Sequence, residues 1–492
     1  MTHVGSAQEK SGKTVIAASQ QHAARTAVVN SPGDVDTIAA LATPPGTGGI
    51  AVIRVSGPAA LELAARVFRG SNLRTVQPRT AHFGKVVDEE GSVVDEVVAT
   101  VFHRPSSYTG EDTVELSCHG GRAVAAAVLE ALLRGGGRHA LPGEFTKRSF
   151  LNGRIDLVQA EAVADLIQAE TRRAQKASIN QLEGRLSGYV REVRERLLQT
   201  ASILELSLDF AEDDVPLAEP AEHRMNIEKS MQAIDALVKT YDVGRTVREG
   251  IRVVIIGRPN AGKSSLLNAL LGMPRAIVTE VAGTTRDYLE EAAIVDGTLF
   301  RFVDTAGLRE THDRVEREGI ARTMAQVREA DIIIDVVDGT SGTNTEILLR
   351  EERQWLSGVV SPDAVACIAL NKIDLVPELA GELSVSEDTF AISAAHSLGL
   401  EKLMAWLQSR ARDLQPELED GSLMITNTRH RDCLVRAKEY LGNALETLDR
   451  GLTEEFVAVS VRNASDALGE IIGEVTTEDV LQSVFSRFCI GK

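Results

Sequence analysis

Apolar residues follow two different periods along the chain, and the first part of it alternates like a sheet. Within residues 36–150, short apolar runs occur at Gly49–Val55, Val97–Phe102 and Thr113–Ser117, and each run is typical of a strand. An alanine-rich stretch, Arg122–Leu133, predicts one helix among these strands. The pattern therefore predicts a small α/β domain in this part of the chain.

After residue 150 the apolar residues recur every three or four positions, which is the period of an amphipathic helix. One predicted helix face carries Leu182, Leu186, Val190, Val193 and Leu197. A second helical stretch, Met225–Tyr241, follows an acidic break at Glu212–Pro220. Residues 429–488 repeat the pattern with Leu434, Ala437, Leu441, Leu445 and Leu448. Residues 251–412 instead alternate strands with helices, and Asp296-Gly297 predicts a tight hairpin turn between two of these strands.

These changes of period predict five segments. They are a flexible tail at 1–35, an α/β domain at 36–150, helical parts at 151–250 and 413–492, and an α/β domain at 251–412. Each helical part has an apolar face that must be covered, and the simplest solution packs the two parts together. We therefore expect a discontinuous helical domain with an α/β domain inserted into it. Two separate helical hairpins are the alternative.

Composition narrows the classes of protein. The chain has 492 residues and a net charge of −18, from 71 acidic and 53 basic residues. This charge argues against a nonspecific nucleic-acid coat but leaves room for a local basic patch that docks a folded RNA. The cysteines Cys118, Cys367, Cys433 and Cys489 form no CxxC pair, so we expect neither a zinc site nor a disulfide framework.

The expected location follows from the same features. No apolar run reaches the ~18 residues that a membrane-spanning helix needs, so we expect no membrane contact. Free cysteines fit a reducing compartment, and we expect a cytoplasmic protein. Residues 1–35 contain few acids but also few arginines, so a transit peptide to the mitochondrial matrix is the alternative.

A phosphate-binding loop follows the apolar run Ile251–Ile256. Residues 257–264 read GRPNAGKS, and Ser265–Leu271 continues as a predicted helix, so the GxxxxGK[ST] motif has its required strand–loop–helix context. Backbone N–H groups of such a loop surround phosphate oxygens. We expect Lys263 to reach the β- and γ-phosphates and Ser264 to bind Mg²⁺.

Two further motifs complete a predicted phosphate site. Asp304 ends the next apolar strand, where we expect it to hold Mg²⁺ through water, and Gly307 can offer an N–H to the γ-phosphate. Thr285 is the expected switch threonine that completes the Mg²⁺ shell. The predicted nucleotide-binding positions are Asn260, Ala261, Gly262, Lys263, Ser264, Ser265, Thr279, Glu280, Val281, Ala282, Gly283, Thr284, Thr285, Asp304, Thr305, Ala306 and Gly307.

The predicted base is guanine. Asn371, Lys372 and Asp374 form an NKxD motif after the strand Val365–Leu370, and Ser393–Ala394 follows another strand. A carboxylate at Asp374 accepts from N1–H and the exocyclic amine of guanine, a donor pair that adenine lacks. The sequence therefore predicts a GTPase. Leu308 stands where small signalling GTPases carry a water-orienting Gln. An acid downstream is therefore expected to orient the attacking water, and the candidates are Glu310, Asp313, Glu316 and Glu318.

With these motifs the chain resembles the MnmE (TrmE) family of tRNA modification GTPases over about residues 36–492. The most specific matches are 42–46 (ATPPG), 110–112 (GED), 119–121 (HGG), 142–145 (PGEF), 156–157 (DL) and 488–492 (FCIGK). The resemblance implies an N-terminal tetrahydrofolate-binding domain that forms a homodimer, a discontinuous helical domain and an inserted TrmE-type G domain. It also implies tRNA as substrate and modification of C5 of the wobble uridine together with a FAD protein of the MnmG (GidA) type, in a heterotetramer.

Further residue roles come from the resemblance alone. It implies K⁺-stimulated hydrolysis through G-domain dimerisation, with K⁺ held at Asn260, Thr279, Val281 and Thr284. It implies that Glu316 is the catalytic acid. It implies 5-formyl- or methylene-tetrahydrofolate at Arg54, Glu115, Arg154 and Lys492. From the residues alone, Arg54, Glu115 and Glu316 could equally be solvated charges, and the role of Cys489 stays open.

Two other classes compete with this interpretation. A ribosome-assembly GTPase shares the G-domain motifs but needs an RNA module such as a KH domain after them. Residues 414–492 instead predict amphipathic helices. A dynamin-like GTPase needs a basic amphipathic or apolar membrane element, and the sequence has none that is evident.

Overall fold

The structure is a computed structural model that describes residues 36–209, 220–274, 276–279, 290–304, 324–341, 345–376, 387–417 and 422–492. The predicted tail at 1–35 and the acidic break at 212–219 lie outside these residues. The chain divides into two compact units. The first unit contains described residues up to 164 together with 181–234 and 433–492, and the second contains 165–180 and 235–432. The five predicted segment boundaries stay a prediction.

A mixed seven-stranded sheet forms the base of the first unit, in the order β3-β4-β5-β6-β2-β1-β7. Buried and exposed residues alternate along its strands, because one face of the sheet is buried and the other is open. Val55, Leu116 and Val101 point into the core, whereas Phe83 and Ile50 are exposed. The strands are β1 Ile38–Leu41, β2 Ile50–Ser56, β3 Phe68–Gly70, β4 Ala81–Val87, β5 Val93–Phe102, β6 Thr113–His119 and β7 Arg138–His139.

Two amphipathic helices cover the buried face of this sheet. They are α1 (Ala60–Val67) and α2 (Arg122–Arg134), and their buried leucines and valines join the core residues of the strands. A third helix, α3 (Glu144–Leu151), is fixed by a buried ionic cluster. Arg148 is 3% exposed and pairs with Asp36 at 2.7 Å, with Glu144 at 2.9 Å and with Glu111 at 3.3 Å.

The helices that follow have these bounds: α4 Leu157–Gln168, α5 Arg172–Leu182, α6 Arg185–Asp209, α7 Pro220–Val238 and α8 Tyr241–Glu249. The single predicted face from Leu182 to Leu197 is therefore wrong at its start. Gly184 adopts a left-handed φ of +80°, so the chain turns between α5 and α6. Leu186, Val190 and Leu197 on α6 are buried as predicted.

The C-terminal residues return as three helices, α12 (Thr428–Asp449), α13 (Glu454–Ile472) and α14 (Glu478–Phe485). Helix α13 lies along α6, so the two helical parts are in contact as expected, although the predicted stripe from Leu434 to Leu448 lies on α12. Arg194 on α6 donates to Ser465 O at 3.2 Å and pairs with Glu474 at 2.6 Å. Helical segments from both predicted parts thus pack together in the first unit, whereas 165–180, 235–250 and 413–432 of those parts belong to the second unit.

The second unit contains the other sheet, with strand order β14-β13-β12-β8-β11-β10-β9. The central strands are parallel and nearly continuous in apolar residues, as a sheet with helices on both faces requires. Asp296 and Gly297 both have positive φ and close the β10–β11 hairpin, which confirms the predicted turn. The strands are β8 Ile251–Gly257, β9 Ala276–Thr279, β10 Glu290–Val295, β11 Thr298–Asp304, β12 Ile332–Asp338, β13 Val365–Asn371 and β14 Thr389–Ala391.

Helices α9 (Lys263–Leu271), α10 (Thr345–Val359) and α11 (Leu400–Leu414) cover this sheet. Clusters of buried residues lie against both of its faces. This strand and helix order is that of a P-loop α/β domain. No helix of the described residues is long and apolar enough to cross a membrane.

Helix α8 contacts several segments of the second unit that are distant from it in sequence. Arg245 pairs with Asp331 before β12, and Arg248 pairs with Asp165 at 2.8 Å. The Thr246 carbonyl accepts from Gln415 Nε2 at 2.9 Å. Gly244 lies so close to the Ile425 carbonyl that a Cβ at this position would collide with that oxygen.

Replacement of Gly244 by Ala should therefore destabilise the protein. Forced overpacking typically costs 1–3 kcal/mol, although Ala otherwise favours a helix over Gly by ~1 kcal/mol. The matched control is Gly442→Ala on α12, where a Cβ meets nothing within 4 Å. We expect a lower melting temperature for G244A and an unchanged or higher one for G442A. Equal melting temperatures for the two variants would contradict the contact.

Candidate functional site

The loop between β8 and α9 has the backbone of a phosphate cradle. Gly257, Asn260 and Gly262 have φ of +143°, +62° and +101°, so the chain bends sharply, as in loops whose N–H groups surround an anion. A Cβ at Gly257 would collide with the Val336 carbonyl, and one at Gly262 with the Asn371 amide nitrogen. Glycine is therefore required at both positions by space as well as by conformation.

Lys263 and Ser264 begin α9, and their side chains are already organised. Lys263 Nζ donates to the carbonyls of Gly257 at 3.2 Å and Arg258 at 3.1 Å, which curls the ammonium over the loop. Burial lowers the pKa of Lys263, opposed by the nearby carboxylates of Asp304 and Asp335. Ser264 Oγ donates to Asp304 Oδ2 at 2.6 Å. A hydroxyl and a carboxylate at this distance form an oxygen donor set of the type that suits Mg²⁺.

Asn371 connects the phosphate loop with the loop after β14. Its amide is 3% exposed, and Nδ2 donates to the Ala261 carbonyl at 2.8 Å while Oδ1 accepts from Ala394 N at 2.9 Å. Lys372 follows in a left-handed conformation with φ +67° and pairs with Asp338 Oδ2 at 2.6 Å. The predicted base-binding motif thus lies directly beside the predicted phosphate loop.

Asp374 is oriented by Ser393. The Ser393 hydroxyl is buried and donates to Asp374 Oδ1 at 2.5 Å, which lowers the pKa of Asp374. The carboxylate is therefore held ionised, as acceptance from two guanine donors requires. Sequence reasoning missed two neighbours of this site, Asp338 and His396. Asp338 ends an apolar strand as Asp304 does, and that signal could have identified it.

Several predicted site residues lie outside the described part of the chain. They are Glu280, Val281, Ala282, Gly283, Thr284, Thr285, Thr305, Ala306, Gly307 and Glu316, together with Leu308. Thr279 ends β9, and its side chain is not described. The remaining nucleotide-site residues, from Asn260 to Ser265 with Asp304, Asn371, Lys372, Asp374, Ser393 and Ala394, gather at one edge of the second sheet.

A separate polar cluster lies in the first unit. Arg54 donates to Glu115 at 2.9 Å, and its guanidinium lies 5.2 Å from the ring centre of Tyr108 and 5.6 Å from that of Phe145. Burial, followed by the charge of Arg54, lowers the pKa of Lys492. Two cations and one carboxylate thus face each other beside aromatic rings.

Backbone contacts bring the last residues of the chain to this cluster. The Lys492 carbonyl accepts from Phe145 N at 3.2 Å, and the Cys489 carbonyl accepts from Gly143 N at 3.4 Å. Gly491 has φ +96°, and a Cβ there would collide with the Leu41 carbonyl. The structure therefore brings Arg54, Glu115 and Lys492 together. No hydrogen bond or ion pair among the described residues joins Arg154 to these three; Arg154 lies exposed beside Gly110.

Comparison with known families covers nearly all of the described chain. The model described as "GTP-binding protein TrmE N-terminus" matches residues 37–154. The model described as "MnmE helical domain" matches residues 157–489, a span that includes the second sheet. Both units of the structure are therefore accounted for by two adjoining family models.

Individual relatives match over the same length. The tRNA modification GTPase MnmE of Salinibacter ruber is 43% identical over 471 residues, covering 93% of this chain and 99% of the relative. The protein of that name from Aquifex aeolicus is 42% identical and covers 93% and 100%. A solved structure, the G domain of the T. maritima FeoB iron transporter, is 27% identical over 33% of this chain and 98% of its own, with a TM-score of 0.24.

Loss of the Asn371 amide should weaken nucleotide binding. Asn371→Ala removes two buried hydrogen bonds that fix the relative position of two loops, each worth about 1 kcal/mol. We expect the Kd for fluorescent GDP to rise about thirtyfold. Gln408→Ala, which removes an exposed amide that donates to Asp296 in the same unit, is the control and should not change the Kd. An unchanged Kd in the folded N371A protein would refute the bridging role.

Proposed function

The chain belongs to the MnmE family of tRNA modification GTPases, and from this membership we propose a particular reaction and partner. With a FAD protein of the MnmG (GidA) type, the protein adds a carboxymethylaminomethyl-type group to C5 of the wobble uridine of certain tRNAs. The observation that carries the proposal is identity above 40% over nearly the full length of curated relatives, together with the strand–loop–helix that carries Lys263 and Ser264. We place the reaction in the cytoplasm, where such tRNAs are available.

The nucleotide half of the proposal assigns each described side chain a task. Lys263 contacts the β- and γ-phosphates, and the N–H groups of the loop surround the phosphate oxygens. Ser264 and Asp304 hold Mg²⁺, which neutralises charge that develops between the phosphates when it is bound. Asp374, fixed by Ser393, accepts from guanine N1–H and the exocyclic amine.

Hydrolysis requires that the attacking water be oriented, and we assign this role to Glu316. The family resemblance points to this position. An acid is needed because Leu308 stands where small signalling GTPases carry the Gln that orients the water. We further propose that Thr285 completes the Mg²⁺ shell. In this proposal Asn260, Thr279, Val281 and Thr284 hold a K⁺ that supplies the positive charge an arginine finger would otherwise provide. Asn260 is suited to a ligand role because its left-handed backbone turns it to the exposed side of the loop.

The polar cluster of the first unit is the proposed site for the folate that carries a one-carbon group. We assign 5-formyl- or methylene-tetrahydrofolate to the cluster of Arg54, Glu115 and Lys492, with Arg154 nearby. Arg54 and Lys492 suit the carboxylates of a folate, Glu115 suits a ring N–H donor, and Tyr108 and Phe145 offer flat surfaces for the pterin. Burial raises the pKa of Tyr108, so it stays a neutral phenol there.

The open face of the first sheet supports a homodimer through the N-terminal domain. Phe83 is 66% exposed and lies opposite Val98 in register, and Ile50 on the same sheet is 67% exposed. Exposed apolar rows of this kind favour burial against another surface. Two such chains with two flavoprotein chains would form the proposed heterotetramer.

Modification of the wobble uridine tests the proposal directly. Cells that lack this protein should accumulate tRNA with an unmodified C5, and the intact gene should restore the modified nucleoside. Lys263→Ala should fail to restore it, although the protein is made at a normal level. Normal wobble uridines in cells that lack the protein would overturn the proposed reaction.

Glu316→Ala should separate catalysis from binding. Loss of a general base typically lowers the rate by roughly 10²–10⁴-fold, whereas GDP affinity should hardly change because Lys263, Ser264 and Asp304 remain. Single-turnover hydrolysis is measured in K⁺ and in Na⁺, with Asp313→Ala and Glu318→Ala as controls. We expect faster hydrolysis in K⁺, and Asn260→Ala should abolish that difference. Near-normal turnover of E316A would show that this acid only carries a solvated charge.

Lys492→Met should weaken folate binding while GDP binding is retained. The change keeps the bulk of the side chain but removes one of two cations from the cluster, so affinity for 5-formyltetrahydrofolate should fall about tenfold. Lys147→Met, a partly exposed lysine of the same unit that pairs with Glu478, is the matched control. Equal folate affinity of K492M and the unaltered protein would remove Lys492 from the site.

A further inference from the structure

A histidine lies beside the carboxylate that we assign to guanine recognition. His396 Nδ1 is 3.6 Å from Asp374 Oδ2 and 3.3 Å from Ser393 Oγ. Its ring is 64% exposed, whereas the Asp374 side chain is 20% exposed. Because Ser393 already donates to Oδ1, the oxygen that faces His396 is the one without that hydroxyl partner.

The loop that carries His396 has a fixed shape. Ser393 and Leu398 exchange two backbone hydrogen bonds of 3.0 and 3.1 Å, and His396 N donates to the buried Ser393 hydroxyl at 3.3 Å. Ser397 has φ +56°, and Gly399 has φ +73° where a Cβ would collide with the Ala391 carbonyl. The backbone of this loop therefore holds His396 at a defined position.

Asp374 is the charged partner within reach of His396 in the described residues. The other charged groups at this end of the pocket, Lys372 and Asp338, pair with each other at 2.6 Å. A proton on His396 therefore creates an ion pair with the carboxylate that guanine needs. A neutral His396 leaves that carboxylate with its full charge for the base.

We propose that His396 tunes the affinity of the guanine pocket through Asp374, and that its protonation weakens guanine binding. The inference rests on the proposed role of Asp374. The imidazolium and the two guanine donors compete for one carboxylate, so bound guanine should release the proton to solvent. Reciprocity then requires that added protons lower guanine affinity by the same factor. An exposed ion pair limits this factor to about fivefold.

Two substitutions represent the neutral and the charged state of His396. His396→Gln keeps a polar side chain that cannot be protonated, and His396→Arg carries a permanent charge. Fluorescent GDP is titrated from pH 8 to pH 5.5. The ratio of the Kd of the unaltered protein to that of H396Q should rise as the pH falls, and H396R should bind more weakly than H396Q at pH 8. Taking ratios of Kd between proteins at each pH removes the titration of the GDP phosphates, which is common to all of them.

His119→Gln is the matched control, because His119 is also exposed and also pairs with an aspartate, Asp95, but lies in the first unit. It should leave the pH curve unchanged. Asp374→Asn tests the role on which the inference rests, and it should weaken GTP while improving xanthosine triphosphate. Unchanged GTP preference in D374N would overturn the base assignment itself. Weakened GTP in D374N with identical pH curves for H396Q and the unaltered protein, or tight binding by H396R at pH 8, would overturn only the role of His396.

Discussion

The nucleotide site depends on one buried side-chain amide. Asn371 donates to the Ala261 carbonyl and accepts from Ala394 N, so it joins the phosphate loop to the loop that meets the base. A side-chain amide carries its donor and its acceptor on separate atoms, so one side chain can bind two loops at once. The glycine at position 262 is a consequence, because a Cβ there would occupy the space of that amide. If the amide moved, the phosphate loop and the loop that meets the base would no longer be held in a fixed relative position.

The other side chains of the site gain their positions from the parallel sheet around it. Strands β8, β11, β12 and β13 run in the same direction, so Gly257, Asp304, Asp338 and Asn371 come to one edge. The ammonium of Lys263 and the hydroxyl–carboxylate pair of Ser264 and Asp304 therefore lie at this edge. The first unit uses a different principle: a mostly antiparallel sheet with an open face, whose polar cluster is completed by residues from the far end of the chain.

The sequence predicted local chemistry better than it predicted turns and distant contacts. The strand–loop–helix around Lys263 and the Asp296–Gly297 hairpin are confirmed, because both depend on glycine and on apolar runs only a few residues away. The helix through Leu182 is wrong, since periodicity continued across Gly184 where the backbone turns. His396 was missed because a single histidine carries no spacing signal, and its significance depends on the fold bringing it to Asp374. The meeting of Lys492 with Arg54 came only from the family resemblance, as no local pattern joins residues so far apart in sequence.

Helix α8 has a consequence for how such a protein could be assembled in evolution. The second sheet begins at Ile251, directly after α8, and Gln415, just past the last helix of that domain, hydrogen-bonds back to Thr246 on α8. A module whose two ends meet at one helix can be gained or lost in a single gene rearrangement without threading the host. The ancestor of the helical domain would then have needed only a short loop after α8.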